Sequence, residues 1–315
     1  MKDKSPINLR KSMNRGSIEH KTKISEHEGD IMTLANKKVI SVPPSTSIKE
    51  VAKVMVDHKF RRLPVTDPGS EKLLGIVTAM DILNFLGGGD KFNIMEEKHH
   101  DNFLAAINES VREIMTREVK FMSHKDSIND CIGAMIENEV GGIPIVDDNA
   151  KVIGIITERD FALAMAGVLT DELVEDFMAT NIITTTPGTP IESVSKIMVR
   201  NKLRRVIIMG KSINDTPSHG EIEELEGIVT SNDVLKFLGD NKLFAKLESN
   251  SGVEVLGTKI SEIMEEEVTT VDPSTRLGDL CELFREKDIG GVPVIKDQKL
   301  LGIITEKDIL NAIHK

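Results

Sequence analysis

The chain reads Gly75-Ile76-Val77-Thr78-Ala79-Met80-Asp81, an apolar run that ends in a Thr-x-x-Asp motif. The same pattern returns three times, at residues 154–160, 227–233 and 302–308. The threonine of the motif moves from position 78 to 157, 230 and 305, in steps of 79, 73 and 75 residues. Four matches at near-regular spacing indicate an internal repeat, in which each copy is one structural unit.

A second block lies upstream of each copy and divides the repeats into two kinds. Repeats 1 and 3 carry Arg61-Arg62 and Arg204-Arg205, whereas repeats 2 and 4 carry glycine pairs at 141–142 and 290–291. A proline follows two residues later in every repeat except repeat 3, which has Ile207 there. This alternation indicates duplication of a two-repeat unit. It predicts a disk in which repeat 1 pairs with repeat 2 and repeat 3 pairs with repeat 4.

Each copy has the same order of elements, β-α-β-β-α, which predicts an α/β (α+β) fold. In repeat 1 a β-branched strand, Val39-Ile40-Ser41-Val42, precedes a turn and an amphipathic helix. The proline block is the second strand and residues 73–77 are the third. The Thr-x-x-Asp motif then opens a second helix, which Gly87 ends. The predicted parts are a flexible tail (1–22), repeat 1 (23–87), a linker (88–110), repeat 2 (111–170), repeat 3 (171–240), a second linker (241–258) and repeat 4 (259–315).

Repeat 3 is longer than repeat 1 between its last two strands. Arg204 and Thr230 are 26 positions apart, whereas Arg61 and Thr78 are 17 positions apart. The extra residues are acidic, and they include Glu221, Glu223, Glu224 and Glu226. We expect this acidic insertion to lie in a turn between strands, away from any cleft formed by the helix N-terminus.

The composition is that of a globular protein and excludes several classes of function. The net charge of −11 argues against bulk nucleic-acid binding. No apolar run approaches the roughly 20 residues that span a bilayer, and the N-terminus lacks an apolar signal core, which predicts a cytoplasmic protein. The only two cysteines, Cys131 and Cys281, stand among apolar neighbours and are predicted to be core residues.

The Thr-x-x-Asp motif has two interpretations. A threonine that caps a helix, with an acid in the first turn, is a common helix start. The same geometry offers a hydroxyl and backbone N–H groups to a phosphate, and a carboxylate that accepts hydrogen bonds from both vicinal hydroxyls of a ribose. Capping alone tolerates Ser, Asn or Glu, yet aspartate stands in all four copies. We therefore favour ligand binding at Asp81, Asp160, Asp233 and Asp308.

The arginine pairs also have two interpretations. Charged residues at strand starts are often simply solvated. Alternatively, the guanidinium groups form a phosphate clamp, because their planar fork matches phosphate oxygens. The glycine pairs at the equivalent positions let backbone approach a ligand or a partner repeat closely.

Other candidate sites are excluded by their context. Gly87-Gly88-Gly89 follows a helix and is therefore not a dinucleotide-binding loop. His99 and His100 lack partners at metal-ligand spacing, and we expect them at the surface and expect no metal site. No nucleophile–base pattern appears outside the repeats, which predicts no catalytic residues and no enzyme activity.

These repeats resemble the CBS domain, named for cystathionine beta-synthase. Such domains pair into Bateman modules, and this chain resembles two modules in tandem over residues 30–315. The layout is similar to that of the nucleotide-sensing gamma subunit of AMP-activated protein kinase and of stand-alone archaeal four-CBS proteins.

The resemblance implies a role for each motif. The four aspartates would hold ribose hydroxyls, and Thr78, Thr157, Thr230 and Thr305 would lie near ribose or phosphate. Arg61, Arg62, Arg204 and Arg205 would bind phosphates. The implied adenine pocket consists of Ile40, Pro64, Ile143, Pro144 and Pro293. The absence of arginines from repeats 2 and 4, and of the proline from repeat 3, leaves open which clefts fill.

Three functions remain open from the sequence. The first is a sensor that binds AMP, ADP or ATP, without any other cofactor, and changes its affinity for a protein partner. The second is a scaffold in which the aspartates only cap helices. The third is a sensor of an adenosyl ligand such as S-adenosylmethionine, whose positive charge the arginine pairs would repel. The identity of a partner, and homodimer formation, are also open.

Overall fold

The computed structural model describes residues 29–100, 102–211, 223–239 and 251–314. The predicted tail (1–22) and part of the second linker lie outside the described residues. The chain divides into two compact units. The odd unit contains Ile40–Val119 and Ile183–Val268, which include repeats 1 and 3, and the even unit contains the described parts of Met1–Val39, Lys120–Ile182 and Thr269–Lys315.

The first half of the chain contains repeats 1 and 2. It begins with a short helix, α1 (Ile31–Leu34). Repeat 1 follows with α2 (Ile48–Asp57), β1 (Arg62–Thr66), β2 (Leu73–Thr78) and α3 (Ala79–Leu83). A wide turn (Asn84–Gly88), two short turns (Asp90–Phe92, Ile94–Lys98), α4 (Phe103–Ile107) and a 3-10 turn (Val111–Glu113) lead to repeat 2. Repeat 2 has β3 (Met122–Ser123), α5 (Ile128–Glu137), β4 (Gly142–Val146), β5 (Val152–Thr157) and α6 (Glu158–Ala164).

The second half repeats this order. A 3-10 turn (Val174–Asp176) precedes β6 (Thr184–Thr185), α7 (Ile191–Arg200), β7 (Arg205–Lys211), β8 (Glu223–Thr230) and α8 (Ser231–Gly239) of repeat 3. Then come α9 (Gly252–Leu256) and a 3-10 turn (Ile260–Glu262). Repeat 4 has α10 (Leu277–Lys287), β9 (Gly291–Lys296), β10 (Lys299–Thr305) and α11 (Glu306–His314). No helix among the described residues combines the length and the apolar character that a membrane span requires.

The first predicted strand is shorter in the structure than in the sequence analysis. In repeat 1, Val42 makes a single parallel bridge with Val65, and in repeat 4, Val271 makes one with Val294. Repeats 2 and 3 keep two-residue strands, β3 and β6. Pro43 and Pro44 explain the short pairing in repeat 1, because proline has no N–H to donate to a neighbouring strand.

The acidic insertion of repeat 3 is only partly the turn that we expected. Glu223, Glu224 and Glu226 lie on β8, which pairs with β7 out to Lys211. Glu221 lies outside the described residues. The added length therefore extends the hairpin of repeat 3 beyond the hairpins of the other repeats.

Each repeat is completed by a segment that precedes another repeat in the sequence. Residues 109–116, which lead into repeat 2, bridge to repeat 1 at Ile76–Thr116, and residues 29–36 bridge to repeat 2 at Asn36–Ile155. The second half has the same exchange, with 258–265 on repeat 3 and 172–179 on repeat 4. Each hairpin thus gains a bridge on its last strand from outside its own repeat. The disk in which repeat 1 pairs with 2 and repeat 3 with 4 stays a prediction.

The exchanged segments also explain a glycine of the repeated motif. A Cβ atom on Gly75 would lie 2.9 Å from the carbonyl oxygen of Thr116. Gly227 and Gly302 face backbone oxygens of their own exchanged segments at the same distance of 2.9 Å. Real Cβ atoms do not approach that closely, so these glycines allow the exchanged segment to pair with the last strand.

Helix packing joins the repeats differently from the exchanged segments. In the odd unit α2 of repeat 1 packs on α8 of repeat 3, and α7 packs on the wide turn at Asn84–Gly88. In the even unit α6 of repeat 2 packs on α10 and α11 of repeat 4. The sequence analysis did not foresee a shared core of repeats 1 and 3, or of repeats 2 and 4.

The two cysteines lie in the even core, as predicted. Cys131 and Cys281 are fully buried free thiols. Burial raises the pKa of each thiol to about 12. Both therefore act as small apolar side chains.

Candidate functional site

In all four Thr-x-x-Asp motifs the threonine donates two hydrogen bonds to the aspartate at the start of a helix. In repeat 1 the backbone N–H and the hydroxyl of Thr78 both donate to Oδ2 of Asp81, at 2.8 and 2.7 Å. The other three motifs repeat these two bonds at 2.7–2.9 Å. The capping interpretation of the motif is thus correct for Oδ2 of each aspartate, and Oδ1 does not take part in these capping bonds.

The second carboxylate oxygen contacts a lysine in both odd repeats. Oδ1 of Asp81 lies 2.5 Å from Nζ of Lys91, and Oδ1 of Asp233 lies 3.2 Å from Nζ of Lys236. The lysines differ in exposure, because the side chain of Lys91 is 23% exposed and that of Lys236 is 58% exposed. The sequence analysis assigned no role to either lysine.

The hairpin of each odd repeat brings its arginine pair to the motif. Arg62 is the cross-strand partner of Thr78, and Arg205 is the partner of Thr230. Directly paired residues of antiparallel strands have Cβ atoms about 5 Å apart. Arg205 is 9% exposed, so its stem is held within the fold. The sequence-predicted arginines, threonines and aspartates of repeats 1 and 3 therefore converge in space.

In the even repeats the residues next to the motif threonine are glycine and glutamate instead of arginine and a small residue. Glycine occupies the arginine positions, and Glu158 and Glu306 follow the threonines, with exposures of only 4% and 1%. The guanidinium of Arg159 lies 3.1 Å from Oε1 of Glu306 and 2.5 Å from Oδ1 of Asp288. Arg159 also donates to the carbonyl of Ile289 at 3.3 Å. This ion network links repeats 2 and 4 within the even unit.

The predicted adenine-pocket residues divide between two environments. Pro64, Pro144 and Pro293 are buried on the second strands, and Ile40 is half-buried against the odd core. Ile143 is fully buried in the even core, so its side chain serves packing. Strand alternation places Ile143 and Pro144 on opposite faces of β4.

The sequence analysis missed a residue that the strand register identifies. Thr184 and Thr185 of β6 pair with Ile207 and Ile208, as the first segment of repeat 1 pairs with its second strand. This register places Ile183 at the position equivalent to Ile40, with 36% exposure. Aligning the first strands of repeats 1 and 3 would have identified it.

His99 is not the surface residue that we expected. Its side chain is 15% exposed, and Nε2 lies 3.0 Å from Oε2 of Glu109. Lys98 contacts the same oxygen at 2.7 Å. In the described part of the chain, His, Cys, Asp and Glu side chains form no group of three that could hold a metal ion.

Comparisons with known proteins agree with the repeat and its geometry. Protein MJ1225 of Methanocaldococcus jannaschii is 38% identical over 283 residues, which are 89% of this chain and 97% of that protein. Its crystal structure is described as that of a proposed archaeal homologue of gamma-AMPK. It matches with a TM-score of 0.80 over 90% of this chain and 99% of that chain.

More distant relatives match over nearly the same length of the chain. A 33.4 kDa protein of Thermofilum pendens is 26% identical over 274 residues, 87% of either chain. A conserved protein of Pyrococcus horikoshii, 18% identical, has the same fold with a TM-score of 0.54 over 89% of this chain and 97% of that one. The CBS domain family itself matches residues 29–88, 111–167, 174–240 and 260–315. The chain therefore belongs to the CBS domain family and contains four copies of the domain.

Proposed function

We propose that this protein is a non-catalytic regulatory protein that binds AMP, ADP or ATP at its Thr-x-x-Asp motifs. Ligand occupancy would change its affinity for a protein partner. The observation that carries the proposal is the convergence in the odd repeats. There an arginine stands opposite the motif threonine, and Oδ1 of an aspartate one turn later lies outside the cap, against a lysine.

Each part of that arrangement suits one part of a nucleotide. Guanidinium groups bind phosphate oxygens in a bidentate manner. A carboxylate oxygen accepts hydrogen bonds from ribose hydroxyls, and buried prolines such as Pro64 give an apolar wall for a base. The similarity to MJ1225, described as a proposed archaeal homologue of gamma-AMPK, supports the resemblance from which we infer this ligand class.

The even repeats favour a second ligand class. They have glycine in place of the arginines and buried Glu158 and Glu306 beside the threonines. A neutral or positively charged adenosyl compound, such as S-adenosylmethionine, fits this charge better than a polyphosphate does. Repeats 2 and 4 are therefore our candidates for such a ligand.

The test is to identify what the purified protein carries. We expect denaturation of the purified protein to release an adenine nucleotide, which mass spectrometry then identifies. The absence of Trp and Tyr leaves the chain with little absorbance near 280 nm, so bound adenine should dominate the spectrum near 260 nm. Release of S-adenosylmethionine alone would favour the second ligand class, and release of no adenosyl compound, with no AMP binding on titration, would favour a scaffold.

A quadruple Asp→Asn variant at the four motifs separates capping from ligand binding. Asparagine caps helices about as well as aspartate, and its side-chain oxygen can still accept from the threonine. Its amide nitrogen then replaces Oδ1 and donates instead of accepting. We expect the 260 nm absorbance to fall while circular dichroism shows that the variant remains folded. Full absorbance in the folded variant would refute the ribose contact.

A further inference from the structure

Lys91 occupies the carboxylate oxygen of Asp81 that a ribose would need. Its Nζ lies 2.5 Å from Oδ1 of Asp81 and also donates to the backbone carbonyl of Ile114. The pair is well shielded, since the side chain of Asp81 is 13% exposed and that of Lys91 is 23% exposed. Ile114 belongs to the exchanged segment 109–116, so the ammonium group bridges the motif and that segment.

The backbone holds Lys91 in this position. Gly87 has a φ of +126°, which lets the chain leave the helix and reverse. The side chain of Asn84 then accepts from the backbone N–H of Lys91 at 2.9 Å and donates to Asp90 at 3.0 Å. Asn84 thus holds Asp90 and Lys91 in the turn, and the side chain of Lys91 extends from there to Asp81.

We infer that Lys91 is a specificity-determining residue of repeat 1, which releases Asp81 only to a ligand that carries an anionic group. The inference rests on the proposed function, because it assigns Oδ1 of Asp81 to ribose. A ribose must displace the ammonium group from two partners in a shielded place. Two neutral hydroxyl groups replace a charge-assisted contact poorly, because hydrogen bonds to charged groups are the stronger ones.

An anionic ligand compensates for this displacement. Arg62 stands across from Thr78, and Thr78 is bonded to Asp81, so Arg62 and Lys91 both belong to the surroundings of one capped motif. Asp90, the other carboxylate of the turn, is held by the Asn84 amide, which lowers its pKa. A displaced ammonium group would lose the contact with its counter-ion Asp81, and a phosphate supplies a new counter-ion.

In the described part of repeat 3, the lysine that contacts the motif aspartate is placed differently. Lys236 lies three residues after Asp233 on the surface of α8, at 3.2 Å and with 58% exposure. An exposed ion pair of this kind contributes little and gives way easily. Repeats 1 and 3 therefore share their arginine pair but differ in the exposure of the lysine that contacts Oδ1 of the motif aspartate.

The test uses a single-site background, Asp160→Asn/Asp233→Asn/Asp308→Asn, which leaves only the aspartate of repeat 1 intact. Protein stripped of nucleotide is titrated with AMP and with adenosine by calorimetry. We expect Lys91→Met to strengthen adenosine binding by about tenfold and AMP binding by much less, so that the preference for AMP falls. The matched control is Lys53→Met, which removes the same charge from an exposed position of α2 in the same repeat.

The other outcomes would overturn either the role of Lys91 or the proposed function. An unchanged or weaker affinity of Lys91→Met for adenosine, or an effect equalled by Lys53→Met, would overturn the role of Lys91. This holds even when the background variant alone binds neither ligand, because Lys91→Met must then create adenosine binding. Wild-type protein that binds no adenine nucleotide would instead overturn the proposed function. A ligand-free crystal structure with the Lys91 ammonium away from Asp81 would also overturn the inference.

Discussion

The odd and even units have the same helix cap but opposite charge beside it. In all four repeats the residue after the motif threonine donates its N–H to the carbonyl of the first residue of the Arg-Arg or Gly-Gly pair. These bonds are 2.9 Å long in the odd repeats and 3.2 Å long in the even repeats. The odd repeats place arginines next to a small residue, Ala79 or Ser231, and the even repeats place glycines next to Glu158 or Glu306.

The comparison teaches that the fold and the ligand charge are specified by different positions. The capping aspartate and the hairpin register are common to the four repeats. The two neighbouring positions vary together, with arginine next to a small residue in the odd repeats and glycine next to glutamate in the even repeats. The even unit uses its buried acid for an ion network across repeats 2 and 4, whereas the odd unit keeps its cations beside the motif.

Of the predicted changes, breaking the ion network of Arg159 should have the largest effect on the free energy of unfolding. Arg159→Met leaves the carboxylate of Glu306, which is 1% exposed, without its guanidinium partner. Removal of one partner from a buried pair is costly, and we expect a loss of about 3 kcal/mol in the free energy of unfolding, measured in urea. Adding Glu306→Gln to this variant should restore more than half of the loss.

Lys307→Met is the matched control, because Lys307 holds the equivalent position in repeat 4 and is exposed. It should change the free energy of unfolding by no more than about 0.5 kcal/mol. Equal effects of Arg159→Met and Lys307→Met would show that the network does not stabilise the even unit.

Removing a guanidinium group from the odd unit should weaken AMP binding. Arg62→Met and Arg205→Met keep an apolar stem but lose the guanidinium group. Each charge-assisted hydrogen bond to phosphate contributes about 1.5–3 kcal/mol, so AMP affinity at the mutated repeat should fall by roughly 10- to 100-fold. Calorimetry with AMP and adenosine measures this, and adenosine affinity should stay unchanged.

Arg200→Met, an equal change at an exposed position of α7, serves as the control. Unchanged AMP affinity in both Arg62→Met and Arg205→Met would refute the phosphate clamp. A loss shared equally by AMP and adenosine would show that the arginines hold the fold of the cleft and do not recognise phosphate.

The four repeats were predictable from the sequence because their signals are local. The Thr-x-x-Asp cap, the hairpin and the amphipathic helix each need only a few neighbouring residues. The helix α2 illustrates this, since its buried residues Ile48, Val51 and Met55 recur at helical spacing and Ser47 caps its start.

The exchanged segments and Lys91 were not predictable in the same way. Residues 109–116 pair with Ile76, about 40 positions earlier in the sequence, and no local pattern marks that pairing. Lys91 lies outside the repeat, so comparing the four copies with one another could not reveal it. Its position depends on a reversal at Gly87 and on two bonds to Asn84 that only the folded chain displays.

The smallest predicted effect is on stability at acid pH, and it concerns the ion cluster of Glu109, Lys98 and His99 in the odd unit. Hydrogen bonds from Lys98 and from the backbone of Ser110, with a smaller one from His99, lower the pKa of Glu109 from 4.5 to about 2. A carboxyl group whose pKa is lowered by folding stabilises the protein above its unfolded pKa, and this stabilisation is lost as the pH falls from about 4.5 towards 2. Glu109→Gln should therefore cost about 1 kcal/mol in urea unfolding at pH 6, and less as the pH falls through that window. Lys98→Met should reproduce most of this change. Curves for wild type and Glu109→Gln that run parallel from pH 6 to pH 2.5 would show that the cluster does not stabilise the fold.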